Sequence, residues 1–177
     1  MVLYHAYNCF RKGIPRRGTK IFRGKQKMFA SEWRIGKDAD ALAIRRAVFV
    51  QELGHSGDAV FDAFDEYAAQ LVVRVDDVPI ASARLHPGYD GVMLSHIAVL
   101  RAYRGQGFGD LCTRQALYKA QNMGVPRVFA DVPERYAAYY AAFGFRELGA
   151  PEAAIIKMAL ETDGILWHPS CKTDEVQ

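Results

Sequence analysis

Cysteine is scarce in this chain of 177 residues: Cys9, Cys112 and Cys171 lie far apart and form no C-x-x-C pair. Neither a disulfide framework nor a cysteine-ligated zinc site follows from such spacing, and no metal is expected. Long hydrophobic runs are missing as well. No stretch of 18 apolar residues occurs and the opening residues lack the continuous apolar segment of a signal peptide, so a cytoplasmic protein with no membrane partner is expected. Acidic residues are nearly absent from residues 1–37, which hold ten Lys or Arg against the single Glu32. The rest of the chain holds 13 basic and 19 acidic residues, so the net charge of +3 describes a basic arm on an acidic body. Such an arm packs on its own domain, stays solvated or meets an anionic surface. No helix-turn-helix or RNA-recognition pattern accompanies it, so nucleic acid is not an expected partner. H-E-x-x-H and G-x-x-x-x-G-K-[ST] do not occur, and Gly54-His55-Ser56-Gly57-Asp58 lacks the last glycine of a nucleophile elbow. Zinc peptidase, P-loop nucleotide hydrolase and serine hydrolase chemistries have no support.

What is present is a chain half of whose residues are apolar, enough for a substantial core in one domain. Residues 28–35 suit a first strand. Asp38 or Asp40 suits a helix N-cap, and Ala41, Ile44, Ala47 and Val48 keep the three-and-four spacing of an amphipathic helix that ends near Gly54. Residues 70–75 and 78–85 flank Asp76-Asp77 as a hairpin, and a strand over 92–99 follows the turn-rich residues 86–91. Phe108, Leu111, Cys112, Ala116, Ala120 and Met123 share one helical face, which makes Cys112 a small core residue. A buried strand over 127–132, a helix over 134–143 and a final strand over 153–160 complete the order. The fold class is α/β (α+β): a mixed central sheet of about six or seven strands flanked by helices. The expected organisation is a basic arm over 1–27, a domain over 28–165 and a tail over 166–177.

The densest signal is Arg104-Gly105-Gln106-Gly107-Phe108-Gly109. Three glycines between a strand and a helix let the backbone approach a ligand closely, and the amides at the helix start donate toward an anion along the positive end of the dipole. Asp110 stands where a dinucleotide fingerprint needs its third glycine. The surviving pattern R-x-x-G-x-G, preceded by Ile97-Ala98-Val99 and followed by Tyr139-Tyr140-Ala141-Ala142-Phe143-Gly144-Phe145, resembles the GNAT acyltransferases over about residues 35–160. That resemblance implies fourth and fifth strands that splay apart for the pantetheine arm of acetyl-CoA. It also implies direct acetyl transfer to a primary amine, with Ile97, Ala98, Val99, Arg104, Gly105, Gln106, Gly107, Phe108 and Gly109 binding the co-substrate. Tyr140, four residues before Gly144, takes the place of the acid that protonates the departing thiolate, or else only packs.

The base and the acceptor site are less defined. His96 lies on the strand beside the expected thioester, but alternation puts it on the face opposite Ser95 and Ile97. Asp62, Asp65 and Glu66 form an acidic cluster that attracts a cationic amine, supplies Asp65 as a base, or is a solvated loop. Arg84 either holds a substrate carboxylate or pairs with that cluster. Arg45, Val48-Phe49-Val50, Glu52, Asp62, Asp65 and Arg84-Leu85 are also similar to the acyl-homoserine-lactone synthases, which remain the alternative, with a noncatalytic acyl-CoA-binding or nucleic-acid-binding module behind them. Pro133 stands where many relatives place an Asn or Gln that touches the cofactor, and proline has no donor. A small molecule or a peptide supplies the amine, and a homodimer is left open.

Overall fold

Residues 28–151 and 154–165 are described by the computed structural model; the expected arm over 1–27, the tail over 166–177, Cys9 and Cys171 lie outside the described residues. The two adjacent aspartates bend the chain first. Asp76 and Asp77 adopt left-handed φ angles of 49° and 65°, the conformation that a two-residue hairpin turn demands and that a short polar side chain tolerates. They join β2 (Ala69–Val75) to β3 (Val78–Gly88). With β1 (Phe29–Ile35), β4 (Gly91–Val99), β5 (Arg127–Pro133), β6 (Arg146–Glu147) and β7 (Ile155–Glu161), they form one sheet in the order β1-β2-β3-β4-β5-β7-β6. Every neighbouring pair is antiparallel except β4 with β5. The mixed sheet is the one the sequence order implies; only the two-residue β6 had no signal.

Helices cover both faces. Asp38 caps α1 (Ala39–Arg45) by accepting from the Ala41 amide at 2.9 Å. Ala41, Ile44 and Val48 then bury against Val72 and Ala98 of the sheet. The predicted single helix to residue 54 is not what forms: Arg46–Glu52 is a π-helix, with the Leu53 amide reaching the Val48 carbonyl at 3.1 Å. Apolar spacing lapses after Val48, so the period that holds α1 to the sheet no longer dictates the winding. On the other face lies α3 (Phe108–Asn122), which packs Phe108, Cys112, Ala116, Leu117 and Ala120 onto the sheet core and stops before Gly124 at φ 67°. Short helix α2 (Gly57–Val60) follows the π-helix. The helix expected over 134–143 shortens to a 3₁₀ turn at Glu134–Tyr136 and α4 (Ala137–Ala141), ended by Gly144 at φ 96°. Burial of side chains such as Leu71, Leu94, Leu117 and Val128 contributes about 1.5–3 kcal/mol each.

The parallel pair is brief. β4 and β5 match only at Val92↔Val128 and Met93↔Phe129, then diverge. At this joint Gly91 takes φ 144°, and a β-carbon built on it would stand 2.0 Å from the Arg127 carbonyl oxygen. Backbone on both sides cannot yield. Gly91→Ala is therefore expected to cost about 3 kcal/mol or more, seen as a large fall in Tm or as insoluble protein. Gly88→Ala, whose added carbon meets nothing closer than 3.6 Å, is the tolerated control.

Candidate active site

Where β4 and β5 part, a cleft of about 580 Å³ opens. Its walls come from both faces of the sheet: Gly105, Gly107, Phe108 and Gly109 with Tyr139 and Tyr140 on the α3 side, Val48, Phe49, Leu53 and His55 beside the π-helix. Strand alternation explains the two sides. Val128, Ala130 and Val132 join the core beneath α3, so Asp131 and Pro133 between and beyond them turn to the opposite face, and both line the cleft.

A bulge shapes β4 at the site. Ser82 pairs with Ala98 and Arg84 with Ser95, leaving His96 and Ile97 opposite Ala83 alone. His96 takes φ 52°, unusual for a residue with a β-carbon. The extra residue cancels the alternation expected from sequence, and His96 turns to meet Phe49 edge-on at 5.5 Å between ring centroids. Burial, aided by Arg45 and Arg84, lowers its imidazole to about 3, and Nδ1 is buried with no hydrogen-bond partner among the described residues. His96 does line the cleft, but as a neutral ring it is far too weak a base for an ammonium group.

The glycine loop has the form that an anion site needs. Gly105 and Gly107 stand at φ 71° and 84°, and Gly107 occupies the N-cap of α3 with no side-chain cap. The first-turn amides of α3 therefore point outward uncapped. Thr113 Oγ1 donates to the Gly109 carbonyl at 3.1 Å and lies 2.7 Å from Tyr139 Oη, fastening α4 to this first turn. Ile97, Val99, Arg104, Gly105, Gly107, Phe108 and Gly109 line the cleft. Ala98 does not, because its side chain is buried under α1, and Gln106 folds back to the Ala102 carbonyl at 3.2 Å. Arg104 is already engaged: its Nε donates to the Val99 carbonyl at 2.9 Å and its two terminal nitrogens meet Glu52 at 2.6 and 2.7 Å. The pair holds the Glu52 carboxyl below its ordinary value and ties the π-helix to the glycine loop.

Tyr140 lines the cleft between Tyr139 and Phe145, each met edge-on at 5.3 Å. Burial raises its phenol above the ordinary value, with Tyr139 adding to the effect. At neutral pH the phenol is protonated and its hydroxyl can donate.

The acidic cluster is elsewhere. Asp65, 1% exposed, receives Arg45 at 2.6 Å, Arg84 at 2.9 Å and Gln70 at 3.0 Å. Arg84 also grips Asp62 at 2.7 and 3.0 Å and donates its Nε to Ser95 Oγ at 3.0 Å. Glu66 pairs with Lys37. None of Asp62, Asp65, Glu66 and Arg84, expected as base and substrate ligands, lines the cleft. Burial alone would raise the Asp65 carboxyl, yet hydrogen bonds from Arg45 and Arg84 outweigh it and hold the group well below the usual carboxylate range. It cannot take up a proton at neutral pH.

Asp131 and Leu53 are the cleft residues that sequence reasoning did not single out; Phe49 entered there only through the likeness to the homoserine-lactone synthases, and His55 only through the incomplete nucleophile elbow. The alternation of Val128, Ala130 and Val132 carried a signal for Asp131; no residue pattern marked the π-helix. Among the described residues no group of three or more His, Cys, Asp or Glu gathers as a metal-ligand set, and no helix is long and apolar enough to cross a membrane.

Three comparisons bear on this geometry. The sequence profile of the family described as acetyltransferase (GNAT) matches residues 39–145. A candidate acetyltransferase of Bacillus subtilis is 28% identical over 110 residues, which is 60% of this chain and 74% of that protein. Among solved structures, a candidate N-acetyltransferase from Lactobacillus plantarum superposes with a TM-score of 0.68 at 27% identity, covering 75% of this chain and 99% of that one. An acyl-CoA N-acyltransferase from Pseudomonas aeruginosa gives a TM-score of 0.68 at 22% identity with the same coverage, a likeness of fold.

Removing the buried carboxylate strands two guanidinium groups, so Asp65→Asn is expected to cost about 3–5 kcal/mol in denaturant unfolding. The pH dependence follows from the depressed carboxyl. Its contribution is complete above the ordinary Asp value, near pH ~4, and is lost as pH falls toward the folded-state value. Stability between about pH 5 and pH 2 should decline less in Asp65→Asn than in the wild type.

Proposed function

We propose, from the premise that this chain belongs to the acetyltransferase (GNAT) family, that it transfers the acetyl group of acetyl-CoA to a primary amine by direct attack within the β4–β5 cleft. The observation that carries this reading is the passage of the cleft through the parted strands, with uncapped glycine-loop amides at one side and an apolar wall at the other. The α3 side fits the co-substrate: the pyrophosphate lies over the amides of residues 105–109, with Gly109 offering no side chain to obstruct it, and the pantetheine arm runs along Val99 and Ile97 beside Tyr139. The amine enters from the π-helix side.

Attack on the thioester carbon needs a neutral nitrogen, so the ammonium first loses one proton to solvent at the cleft mouth, and the second proton released as the attacking nitrogen becomes an amide leaves by the same route. The new C–N bond forms as the C–S bond breaks. The sulfur leaves with the electron pair and takes the proton of the Tyr140 hydroxyl, which is then restored from solvent. The position of Tyr140 in the cleft wall beside Tyr139 supports that role. Holding amine and thioester face to face across the sheet supplies proximity, with no covalent enzyme intermediate required. Arg45, Asp62, Asp65 and Arg84, shared with the homoserine-lactone synthases, form an internal ion network here, and so speak for a shared scaffold rather than for that acceptor.

Two substitutions separate binding from chemistry. A β-carbon on Gly109 would meet only Tyr139 Oη, at 3.6 Å. Gly109→Ala should therefore keep or raise Tm, by up to about 1 kcal/mol of stability, while calorimetry shows clearly weaker acetyl-CoA binding. Unchanged affinity would remove the loop from the binding site. Tyr140→Phe should leave that affinity intact and lower kcat by about a hundredfold to ten-thousandfold. If single-turnover acetyl transfer keeps its wild-type rate, the tyrosine only packs.

A further inference from the structure

The acceptor side of the cleft has an unusual balance of charge. The acidic residues that the sequence offered for binding a cation are already paired, Asp62 and Asp65 with Arg84 and Arg45 and Glu66 with Lys37, and Glu52 is paired with Arg104. Among the described residues, Asp131 is the only carboxylate in the cleft wall; Arg135 borders it, and so does Arg104 as one half of its pair with Glu52. Lys157 stands opposite Asp131 in the β5–β7 register and is not part of that wall. A second cationic group on an acceptor would find no second unpaired anion in the wall, so it would be stripped of water without compensation.

The rest of the wall on the π-helix side is mainly apolar, with His55 and His96 as its polar members. The π-helix sets Val48 and Leu53 one turn apart, joined through the Leu53 amide and the Val48 carbonyl, with Phe49 beside them and His96 edge-on to its ring. A wall of this kind binds an aryl or alkyl body by burying it, and one carboxylate fixes one ammonium. Resting on the reading of the cleft as an acetyl-CoA and amine site, we propose that the acceptor is a primary monoamine with an apolar or aromatic body, its nitrogen placed by Asp131 and its body held against Phe49 and Leu53. Polyamines and other polycations are excluded by the same wall. Asp131 acts here as a binding group for the free ammonium, before deprotonation and attack.

The test begins with calorimetric titration of the full chain with acetyl-CoA, then measures CoA release with 2-phenylethylamine and with spermidine. The expected kcat/KM for 2-phenylethylamine is at least tenfold the higher. Asp131→Asn should raise KM for 2-phenylethylamine about tenfold while leaving acetyl-CoA affinity unchanged. Leu53 is 44% exposed, so Leu53→Asp should fold normally; by adding a second carboxylate to the wall it should move the ratio of the two amines at least tenfold toward spermidine. Equal or better use of spermidine by the wild type, or turnover of neither amine by a protein that binds acetyl-CoA, overturns the acceptor class and leaves the co-substrate reading standing. Failure to bind acetyl-CoA overturns both.

Discussion

A parallel pair of strands that separates after two matched residues leaves backbone donors and acceptors facing a gap, and those groups must be satisfied by something other than the sheet. Everything around the site follows from holding that gap open without letting the sheet collapse or unfold. Gly91 brings the strands to near contact at one end, while the bulge at His96 turns β4 away at the other. The two helical layers then meet different halves of the opening, so a single interruption of a ladder produces a passage with unlike ends.

The ion network is the brace for that interruption. Arg45 comes from α1, Asp65 from the segment before β2, Gln70 from β2, Arg84 from β3 and Ser95 from β4. Each partner is supplied by a different element, so the network fixes the approach of α1 to the sheet right beside the bulged residue. Buried ion pairs stabilise little against an apolar replacement, yet they tolerate few alternative arrangements. What they secure here is the placement of the π-helix wall relative to β4. At the exposed rim Arg104 repeats the pattern, joining the end of β4, the glycine loop and Glu52.

The strands other than β6, together with α1 and α3, were legible because apolar residues recur along them and ends are marked by Asp38, Asp76-Asp77 and Gly124. The glycine loop was legible because its residue types serve one conformation and one kind of ligand. The acceptor side was not, for three physical reasons. A bulge adds one residue and reverses facing from that point, which moved His96 onto the face of Phe49. A π-helix has no residue signature, so the wall of Val48, Phe49 and Leu53 read as an ordinary helix end. Clustered charges look alike in sequence whether they meet a ligand or each other, and Asp62, Asp65 and Arg84 meet each other.

The burial of Cys112 has a chemical consequence of its own. This side chain is fully enclosed beneath the first turns of α3, and enclosure pushes its thiol up to about 12. At neutral pH it is held as the thiol, and the thiolate that exchanges with thioesters or reacts with oxidants is scarce. A sulfur nucleophile close to an activated acyl group would invite thiol–thioester exchange, in which the acyl group ends on the protein and the intended nitrogen loses it. The packing that completes the core also keeps this sulfur chemically silent, so alkylating and oxidising reagents find no reactive partner in it while the fold is intact.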